Sequence, residues 1–455
     1  MSVDWQLDAG PRGDRTTALY QQIRAAVLDG RLRPGDRLPP TRELALLVRV
    51  SRGTVTAAYD RLTAEGFLEG RVGAGTFVAA GVRPARTRRA PSGAARPREA
   101  FRGPAPTAES GGYTADFTVG VPDPRLFPLP SWRRLVAAEL RATRLPAGYA
   151  DPAGHAGLRA AVARHLGLAR GLRAGAEDVV VTNGAQQAFD LVGRVLIEPG
   201  AVVAVEEPGY PPVRRLWASL GARVQGVPVD AEGIVVERLP ARARLVHVTP
   251  SHQFPLGAVL SARRRAALLE WAERRGAVIV EDDYDSEYRF ADRPLEPLQA
   301  RDAHGRVVYV GSFSKTLLPS LRLGFLVAPA SLRTALVTAR RLTDWHGDPV
   351  PQAALARFID DGLLARHVRR TRNEYAARRE ALLRSLPWAP LPSVAGLHVA
   401  VLVEGAAEIA ARAAARGVRV ETLDRYCADA PLDGLALGVG LVEPHRIPRE
   451  WRWSP

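Results

Sequence analysis

From about residue 113 onward, short Val-rich segments alternate with amphipathic segments, and this alternation restricts the fold more than any other feature of the chain. Segments such as RRRAALLEWAERRG have the apolar spacing of a helix. Each Val-rich segment runs into polar residues at its carboxyl end, as in DVVVTNG, AVVAVEEPGY, RLVHVTP, AVIVEDDYD and RVVYVGSFSK. The pattern predicts an α/β fold, a parallel sheet covered by helices on both faces. Ligands bind beyond the carboxyl ends of such strands, so we expect the polar ends to converge on one site.

The composition changes sharply between residues 81 and 112, where Pro, Gly, Ser and Arg dominate and apolar periodicity disappears. We interpret 81–112 as a flexible linker between a small unit, 15–80, and a large unit, 113–455. One cysteine, Cys427, excludes an intrachain disulfide framework. Without an apolar leader or a run of about 18 apolar residues, we expect a soluble, cytoplasmic protein with no membrane partner.

The small unit has the pattern of a winged helix-turn-helix. Residues 18–29 predict a first helix, Thr41 an N-cap for a helix over 42–48, and Ser51 an N-cap for a helix over 52–65. FLEGRVGAGTFVAA then reads as a hairpin, the wing. Leu44, Leu47, Val55, Tyr59 and Leu62 are expected in its core.

A second helix of this kind enters the major groove with its first residues, here Ser51, Arg52, Thr54 and Thr56. Arg42 and Arg71 are candidates for phosphate contacts. Residues 1–80 hold 11 Arg against nine Asp and Glu, so the prediction of double-stranded DNA as a partner rests on pattern rather than on charge. The alternative for each arginine is a solvated surface charge without a DNA contact, which is the more frequent case for an isolated arginine. The ordered motifs PGDRLPP, SRGTV and GAGTFV resemble the GntR-type winged helix over nearly all of residues 15–80.

Lys315 is the one lysine among 63 basic residues. A lysine amine loses its proton and attacks a carbonyl to form a Schiff base, which a guanidinium does not. Lys315 also follows the last of the Val-rich segments, where the polar ends should converge.

The other polar ends supply complementary chemistry. A turn that opens a helix offers backbone N–H groups to a phosphate, an aromatic ring offers a stacking face, and a buried carboxylate needs a positive partner. Together with an amine and a bidentate guanidinium, this set fits pyridoxal 5′-phosphate (PLP). The residues are Gly184, Ala185, Gln186, Tyr210, Asp282, Tyr284, Ser312, Lys315 and Arg322.

The segments YADPAGHAGLR, TNGAQQAFDL, TPSHQFPLG, IVEDDYDSEYRF and GSFSKTLLPSLRLGF resemble fold-type I aminotransferases, and more closely the MocR-type regulators that join this domain to a GntR-type winged helix. The resemblance implies a smaller C-terminal α+β subdomain from about residue 350 and a head-to-tail homodimer. It also implies that Lys315 holds PLP, Asp282 meets the pyridine nitrogen, Tyr284 the ring hydroxyl and Tyr210 the ring face. Ser312, Arg322 and the turn over 184–186 would hold the phosphate, and Tyr149 would reach the phosphate of a partner subunit.

Two departures from that family stand out. Its usual carboxylate-binding arginine is replaced by Ala436, and nothing in the spacing shows that Arg419 or Arg425 compensates. The chain also ends in GLVEPHRIPREWRWSP, whose prolines, Pro444, Pro448 and Pro455, make a long closing helix improbable.

Three functions remain open from the sequence. The first is a PLP-dependent transcriptional regulator that senses PLP, an amine or an amino acid, with Lys315 used for sensing rather than turnover. The second is an active aminotransferase with an appended DNA-binding domain, which the missing arginine disfavours. The third, a dimerisation scaffold, fits poorly with an intact Lys315, Asp282 and Arg322. His247 and His252 lie next to the predicted site without a catalytic role, and no ligand spacing indicates a metal.

Overall fold

The computed structural model describes residues 15–82, 93–102, 112–141, 148–290, 296–445 and 447. The chain forms two compact units, Met1–Arg96 and Pro97–Pro455, whose boundary falls inside the predicted linker. Most of that linker, and the prolines Pro448 and Pro455 of the atypical C-terminus, lie outside the described residues. Within the described ranges, no helix combines the length and the apolar character that a membrane crossing requires.

The small unit contains α1 (Arg15–Leu28), α2 (Thr41–Leu47), α3 (Arg52–Ala64) and an antiparallel hairpin of β1 (Leu68–Arg71) and β2 (Gly75–Val78). Leu44, Val55, Tyr59 and Leu62 are buried as predicted, but Leu47 is 55% exposed, so its assignment to the core was wrong. The buried residues of α2 are Leu44 and Ala45, and Val48, directly after the helix, is also buried.

The two predicted helix caps have different outcomes. Ser51 has extended backbone and its side chain accepts a hydrogen bond from the Thr54 N–H, at 3.1 Å, which confirms it as the N-cap of α3. Thr41 is not a cap, because it is already the first helical residue of α2. Pro40 holds the extended position before it, and no side chain caps that helix.

The large unit is built on an eight-stranded sheet of order β4-β11-β10-β9-β8-β5-β6-β7. Its strands are β4 (Val179–Thr182), β5 (Val202–Glu207), β6 (Arg223–Asp230), β7 (Gly233–Ile234), β8 (Leu245–Val248), β9 (Val278–Asp283), β10 (Val307–Ser312) and β11 (Gly324–Val327). Strands β10, β9, β8, β5 and β6 are parallel neighbours, as predicted. The five strands that the sequence predicted, β4, β5, β8, β9 and β10, all run in the same direction. Two strands outside that prediction are antiparallel: β11, inserted between β4 and β10, and β7, at the edge beside β6.

Helices cover both faces of this sheet. The helices are α4 (Leu129–Glu139), α5 (Ala156–Arg170), α6 (Ala185–Leu196), α7 (Pro211–Ser219), α8 (Ala262–Arg275), α9 (Leu298–Arg301), α10 (Ala330–Thr343), α11 (Pro349–Asp360) and α12 (Leu363–Ser385). Successive residues of β4 show the two layers: Val180 packs into a cluster with residues of α6, α7 and α10, whereas Val179 and Val181 pack with residues of α4, α5 and α11. The alternating Val-rich strands are therefore buried on both sides.

A smaller C-terminal α+β part follows α12. Its antiparallel sheet has the order β12 (His398–Leu402), β15 (Gly434–Gly438), β14 (Glu421–Thr422), and it includes α13 (Ala406–Ala415). An early segment, β3 (Ala115–Asp116), pairs in parallel with β13 (Val418–Arg419). The beginning of the large unit is thus joined to its C-terminal part.

Candidate functional site

The polar strand ends of the large unit converge on one cavity of about 160 Å³. Most of the predicted site residues line it, namely Ala185, Gln186, Tyr210, Asp282, Tyr284, Ser312, Lys315 and Arg322. The sequence reasoning missed five other lining residues, which come mainly from loops: Val119, Gly120, Phe189, Phe254 and Ser314. Ser314 lies within the GSFSK motif, which was a signal that could have found it.

Lys315 projects its amine into this cavity and donates a hydrogen bond to the carbonyl oxygen of Gly120, with Nζ and O 2.7 Å apart. Gly120 has a φ of +70°, and a Cβ there would stand 2.9 Å from Nζ, so this close approach needs glycine. Burial lowers the pKa of Lys315, and the nearby carboxylates of Asp285 and Asp282 oppose that shift only in part. The amine is thereby biased toward its nucleophilic, neutral form.

Asp282 lies buried at the end of β9, and its Oδ2 is 3.2 Å from Nε2 of His247. His247 belongs to the adjacent parallel strand β8, where it pairs in register with Val280. Asp282 and Tyr284 both line the cavity, as their two-residue spacing predicted. The carboxylate is therefore held in place from the neighbouring strand with its other side toward the cavity.

The hydroxyl of Tyr284 is 2.9 Å from Nδ1 of His252, which also lies 3.1 Å from Oδ2 of Asp285. Nε2 of His252 is 3.0 Å from Oγ of Ser393, so both ring nitrogens have partners. Burial raises the pKa of Tyr284 well above its ordinary value, and the phenol stays protonated near neutrality. His252 thus has a hydrogen-bonding role that orients the tyrosine.

The same region holds a buried group that sequence spacing did not indicate. Ligand-type atoms of His252, Asp285 and His398 lie within 4.8 Å of one another. Burial and the proximity of His252 lower the pKa of His398 to about 3, so its imidazole is neutral. These residues come from three distant segments. His252 and Asp285 are hydrogen-bonded to each other, whereas Nε2 of His398 is 2.9 Å from the carbonyl oxygen of Pro255.

The other end of the cavity has the donors of an anion site. Helix α6 follows Gly184, whose φ is +80°, and no side chain caps this positive helix end. A Cβ at Gly184 would lie 3.0 Å from the guanidinium of Arg322, which donates to the Asn183 carbonyl. Oγ of Ser312 is 2.9 Å from Oγ of Ser314. Oε1 of Gln186, which is an acceptor, is buried without a partner among the described residues. Backbone N–H groups, hydroxyls and a guanidinium at one place fit a phosphate.

Tyr210 precedes α7 and contacts Phe254 edge to face, with ring centroids 5.8 Å apart. Burial raises its pKa to about 12. Tyr149 does not line this cavity; it is 79% exposed, and its ring lies 4.8 Å from that of Trp345. Its expected contact with a partner subunit stays a prediction.

Ala436 is fully buried in β15, where it pairs with Ala400 of β12 and Glu421 of β14. Neither Arg419 nor Arg425 is among the residues that line the cavity. Of the described lining residues, Arg322 is the one that carries a guanidinium group, and it lies at the proposed phosphate end.

In the small unit, the predicted DNA contacts surround the start of α3. Arg52 is exposed and its Nε is 3.4 Å from Oγ1 of Thr41, while Thr54 is half-buried and shares a hydrogen bond with the Ser51 hydroxyl. The exposed Thr56 hydroxyl donates to the Arg52 carbonyl. Arg42 is exposed at the start of α2.

Arg71, on the wing, is paired with Glu69 at 2.7 Å and lies over the Phe77 ring. A phosphate contact there would have to compete with Glu69.

Residues 116–423 match the family of class I and II aminotransferases, and residues 15–78 match the gntR family of bacterial regulatory proteins. The chain is 41% identical over 372 residues to the probable rhizopine catabolism regulatory protein MocR of Rhizobium meliloti, covering 80% of this chain and 76% of that one. It is 36% identical over 433 residues to the pyridoxine biosynthesis transcriptional regulator PdxR of Corynebacterium glutamicum, covering 93% and 91%. The chain belongs to the MocR-type transcriptional regulators.

The large unit of this MocR-type regulator has the fold of aminotransferases. A kynurenine aminotransferase of Pyrococcus horikoshii has a TM-score of 0.70 at 27% identity, covering 76% of this chain and 90% of that chain. The α-aminoadipate aminotransferase LysN of Thermus thermophilus has a TM-score of 0.68 at 30% identity, covering 75% and 91%. The predicted family and fold are confirmed, and the aminotransferase domain implies PLP as the cofactor. The buried amine, the carboxylate and the phosphate-type donors around the cavity fit that group.

Proposed function

We propose that this regulator holds PLP in the cavity around Lys315 and that the state of this site changes how the winged helix binds its operator. The observation that carries the proposal is the convergence of an amine, a carboxylate, a phenol and a phosphate-type cradle on one cavity. Bound PLP supplies an aldehyde that condenses with amines. The site therefore suits sensing of PLP itself, or of an amine or amino acid that competes for that aldehyde.

Each residue contributes a distinct function to this site. Lys315 supplies the amine, and burial lowers its pKa, which favours the deprotonated, nucleophilic form. Asp282, held by His247, places negative charge where a protonated pyridine nitrogen needs it. Tyr284, oriented by His252, offers a hydrogen bond to the ring hydroxyl. Tyr210 offers a stacking face at the same cavity.

The phosphate would be held at the start of α6, by the Gly184–Gln186 turn, with Ser312 and Arg322 completing the cradle. The positive end of this helix offsets part of the phosphate charge, and the Arg322 guanidinium supplies a full positive charge. In a head-to-tail homodimer, the exposed Tyr149 would reach the phosphate in the partner subunit. A regulator that binds chromosomal DNA in this way acts in the cytoplasm.

The alternative, an active aminotransferase, is disfavoured by Ala436. Efficient transamination of an α-amino acid requires its carboxylate to be fixed, and a bidentate arginine usually does so. The buried alanine at this place has no group that binds a carboxylate. Lys315 therefore serves sensing rather than turnover, with at most a slow half-reaction.

Two candidate effectors, PLP and an amine, are suggested by the names of two relatives. PdxR is named for pyridoxine biosynthesis, which favours PLP, whereas MocR is named for rhizopine catabolism, which favours an amine. The deciding experiment measures operator binding at fixed salt for the apo protein, the PLP-loaded protein and the loaded protein with a panel of amines. A shift with PLP alone identifies a PLP sensor, and a shift only with an amine identifies an amine sensor. Operator binding that none of these compounds changes would contradict the proposal.

A further inference from the structure

A second cavity, of about 540 Å³, lies between α5, α12 and the ends of β9 and β10. Its volume is within the range of small-molecule sites and exceeds the 160 Å³ of the cavity around Lys315. The two cavities lie on opposite sides of β9, because successive side chains of a strand alternate between the two faces of the sheet. Asp282 lines the first cavity and Asp283 lines the second.

The inner wall contains a buried ion pair of Arg170 and Asp283, in which Nε of Arg170 and Oδ1 of Asp283 have no hydrogen-bond partner within the described ranges. Nη2 of Arg170 is 2.7 Å from Oδ2 of Asp283, and both side chains are more than nine-tenths buried. The hydroxyls of Ser286 and Tyr309 donate to the same carboxylate oxygen, at 2.9 and 2.5 Å. This pair therefore cancels its own charge and leaves the rest of the cavity wall to determine which ligand is favoured.

Arg289 differs from Arg170 of the same wall in having no ion-pair partner in the part of the chain that the structure describes. Its Nε and Nη1 are buried and have no hydrogen-bond partner among the described residues. A buried guanidinium donor without an acceptor is unfavourable, and such an exception points to a missing acceptor. Burial, together with the positive charge of Arg170, lowers the pKa of Arg289, as expected for a cation that lacks a counterion.

Two further guanidiniums stand at the mouth. Arg369 and Arg372 are one helical turn apart on α12, both are exposed, and neither has an ion-pair partner in the described part of the chain. The acid that faces this group is Glu287. Burial and the nearby Asp283 raise its pKa to about 7, so near neutrality it cancels only part of the positive charge.

Part of the remaining wall is apolar, although His165, Ser312 and Asn373 line it too. Phe313, Phe325, Leu166 and Val368 line the cavity beside the guanidiniums. Such a wall suits a ligand with a carbon skeleton, since a fully hydrated inorganic ion would gain nothing from it. The ligand that fits this cavity therefore has an acidic group, which pairs with the arginines, attached to an apolar body.

We propose that this cavity is a second ligand site of the large unit, for a small organic anion whose carboxylate or phosphate pairs with Arg289, Arg369 and Arg372. Ser312 lines both cavities. An anion bound here would therefore contact the strand end that leads into the Lys315 loop, from the opposite side to PLP.

Benzoate and phenyl phosphate are suitable probes, because each joins an apolar ring to one of the two acidic groups. Calorimetric titration of the full-length, PLP-loaded protein keeps the phosphate cradle at α6 occupied. We expect saturable binding of at least one probe, weakened at least tenfold by Arg289→Gln and by the double change Arg369→Gln with Arg372→Gln. Preference for one probe identifies the acidic group.

The matched control is Arg384→Gln, an exposed arginine of the same helix that does not line the cavity. It should leave binding unchanged. The double variant concerns exposed side chains and avoids the folding risk of Arg289→Gln. Absence of saturable binding for both probes, or binding that neither arginine variant weakens, would overturn the proposal. The proposal would also be overturned if neither probe binds and the double variant instead weakens binding of a DNA duplex of unrelated sequence.

Discussion

Nε2 of His247 lies 3.2 Å from Oδ2 of Asp282, so the carboxylate at the end of β9 is held by a side chain of the adjacent strand β8. Asp282→Asn keeps the size and removes the charge, and we expect PLP affinity to fall at least tenfold, about 1.4 kcal/mol. His247→Gln should cause a smaller loss, because it affects the orientation of the carboxylate and leaves its charge. Asp190→Asn, which removes an ion pair with Arg194 on α6, is the control in an equilibrium titration with PLP. Equal affinity of Asp282→Asn and the wild type would contradict the assignment of this carboxylate.

Lys315→Ala should abolish the Schiff-base absorption that appears when PLP is added, because no other lysine exists in the chain. Absorption spectra of the variant and the wild type, with circular dichroism to verify the fold, test this. An unchanged spectrum would remove the basis of the site.

The rate of PLP attachment should depend on pH in a defined direction. The amine attacks only when deprotonated, and burial lowers the pKa of Lys315. The rate should therefore rise with pH and reach its plateau at a lower pH than for a solvent-exposed lysine in a peptide, whose pKa is about 10.4. Stopped-flow absorbance measures the rate for the protein and for the peptide. Because both react with the same aldehyde, PLP, protonation of PLP itself affects the two rates equally and does not alter the comparison. A plateau at the same pH as the peptide would show that the amine is not desolvated.

Ser51→Ala should destabilise the small unit by about 1 kcal/mol, because the Ser51 hydroxyl caps α3 through the Thr54 N–H. Thermal unfolding of the full chain measures this loss of stability from the transition of the winged helix. Thr63→Ala is the control, an exposed position near the end of the same helix. A Ser51 variant as stable as the wild type would show that this cap contributes nothing.

Arg52→Ala should weaken binding to the specific operator by about 1–3 kcal/mol and binding to random DNA by less, if the side chain reads a base edge. Fluorescence anisotropy at fixed salt with both duplexes separates the two losses. Equal losses would instead make Arg52 a phosphate contact.

Residue periodicity predicted the parts of the site that lie on regular strands. Asp282 and Tyr284 share a side because a strand alternates its side chains, and Lys315 follows a strand that was recognised from its valines. Gly120 and Phe254 were missed because they come from loops whose course depends on distant packing. The cluster of His252, Asp285 and His398 likewise has no local pattern.

The errors in the fold have similar causes. Strands β7 and β11 were not predicted, because β7 has only two residues and the segment GFLV of β11 has only one valine. Leu47 was assigned to the core by spacing, but α2 is short and its buried residues are Leu44 and Ala45. Thr41 has a side chain suited to capping, yet Pro40 supplied the extended residue that begins the helix.

The enclosed amine of Lys315 has a practical consequence. All other basic side chains of the chain are arginines or histidines, so an aldehyde meets one side-chain amine, inside the cavity, besides the chain terminus. Reduction with borohydride would convert each occupied site into a stable tag at that lysine. The mass of the intact chain would then count filled cavities directly, in a mixture and without separating bound from free molecules.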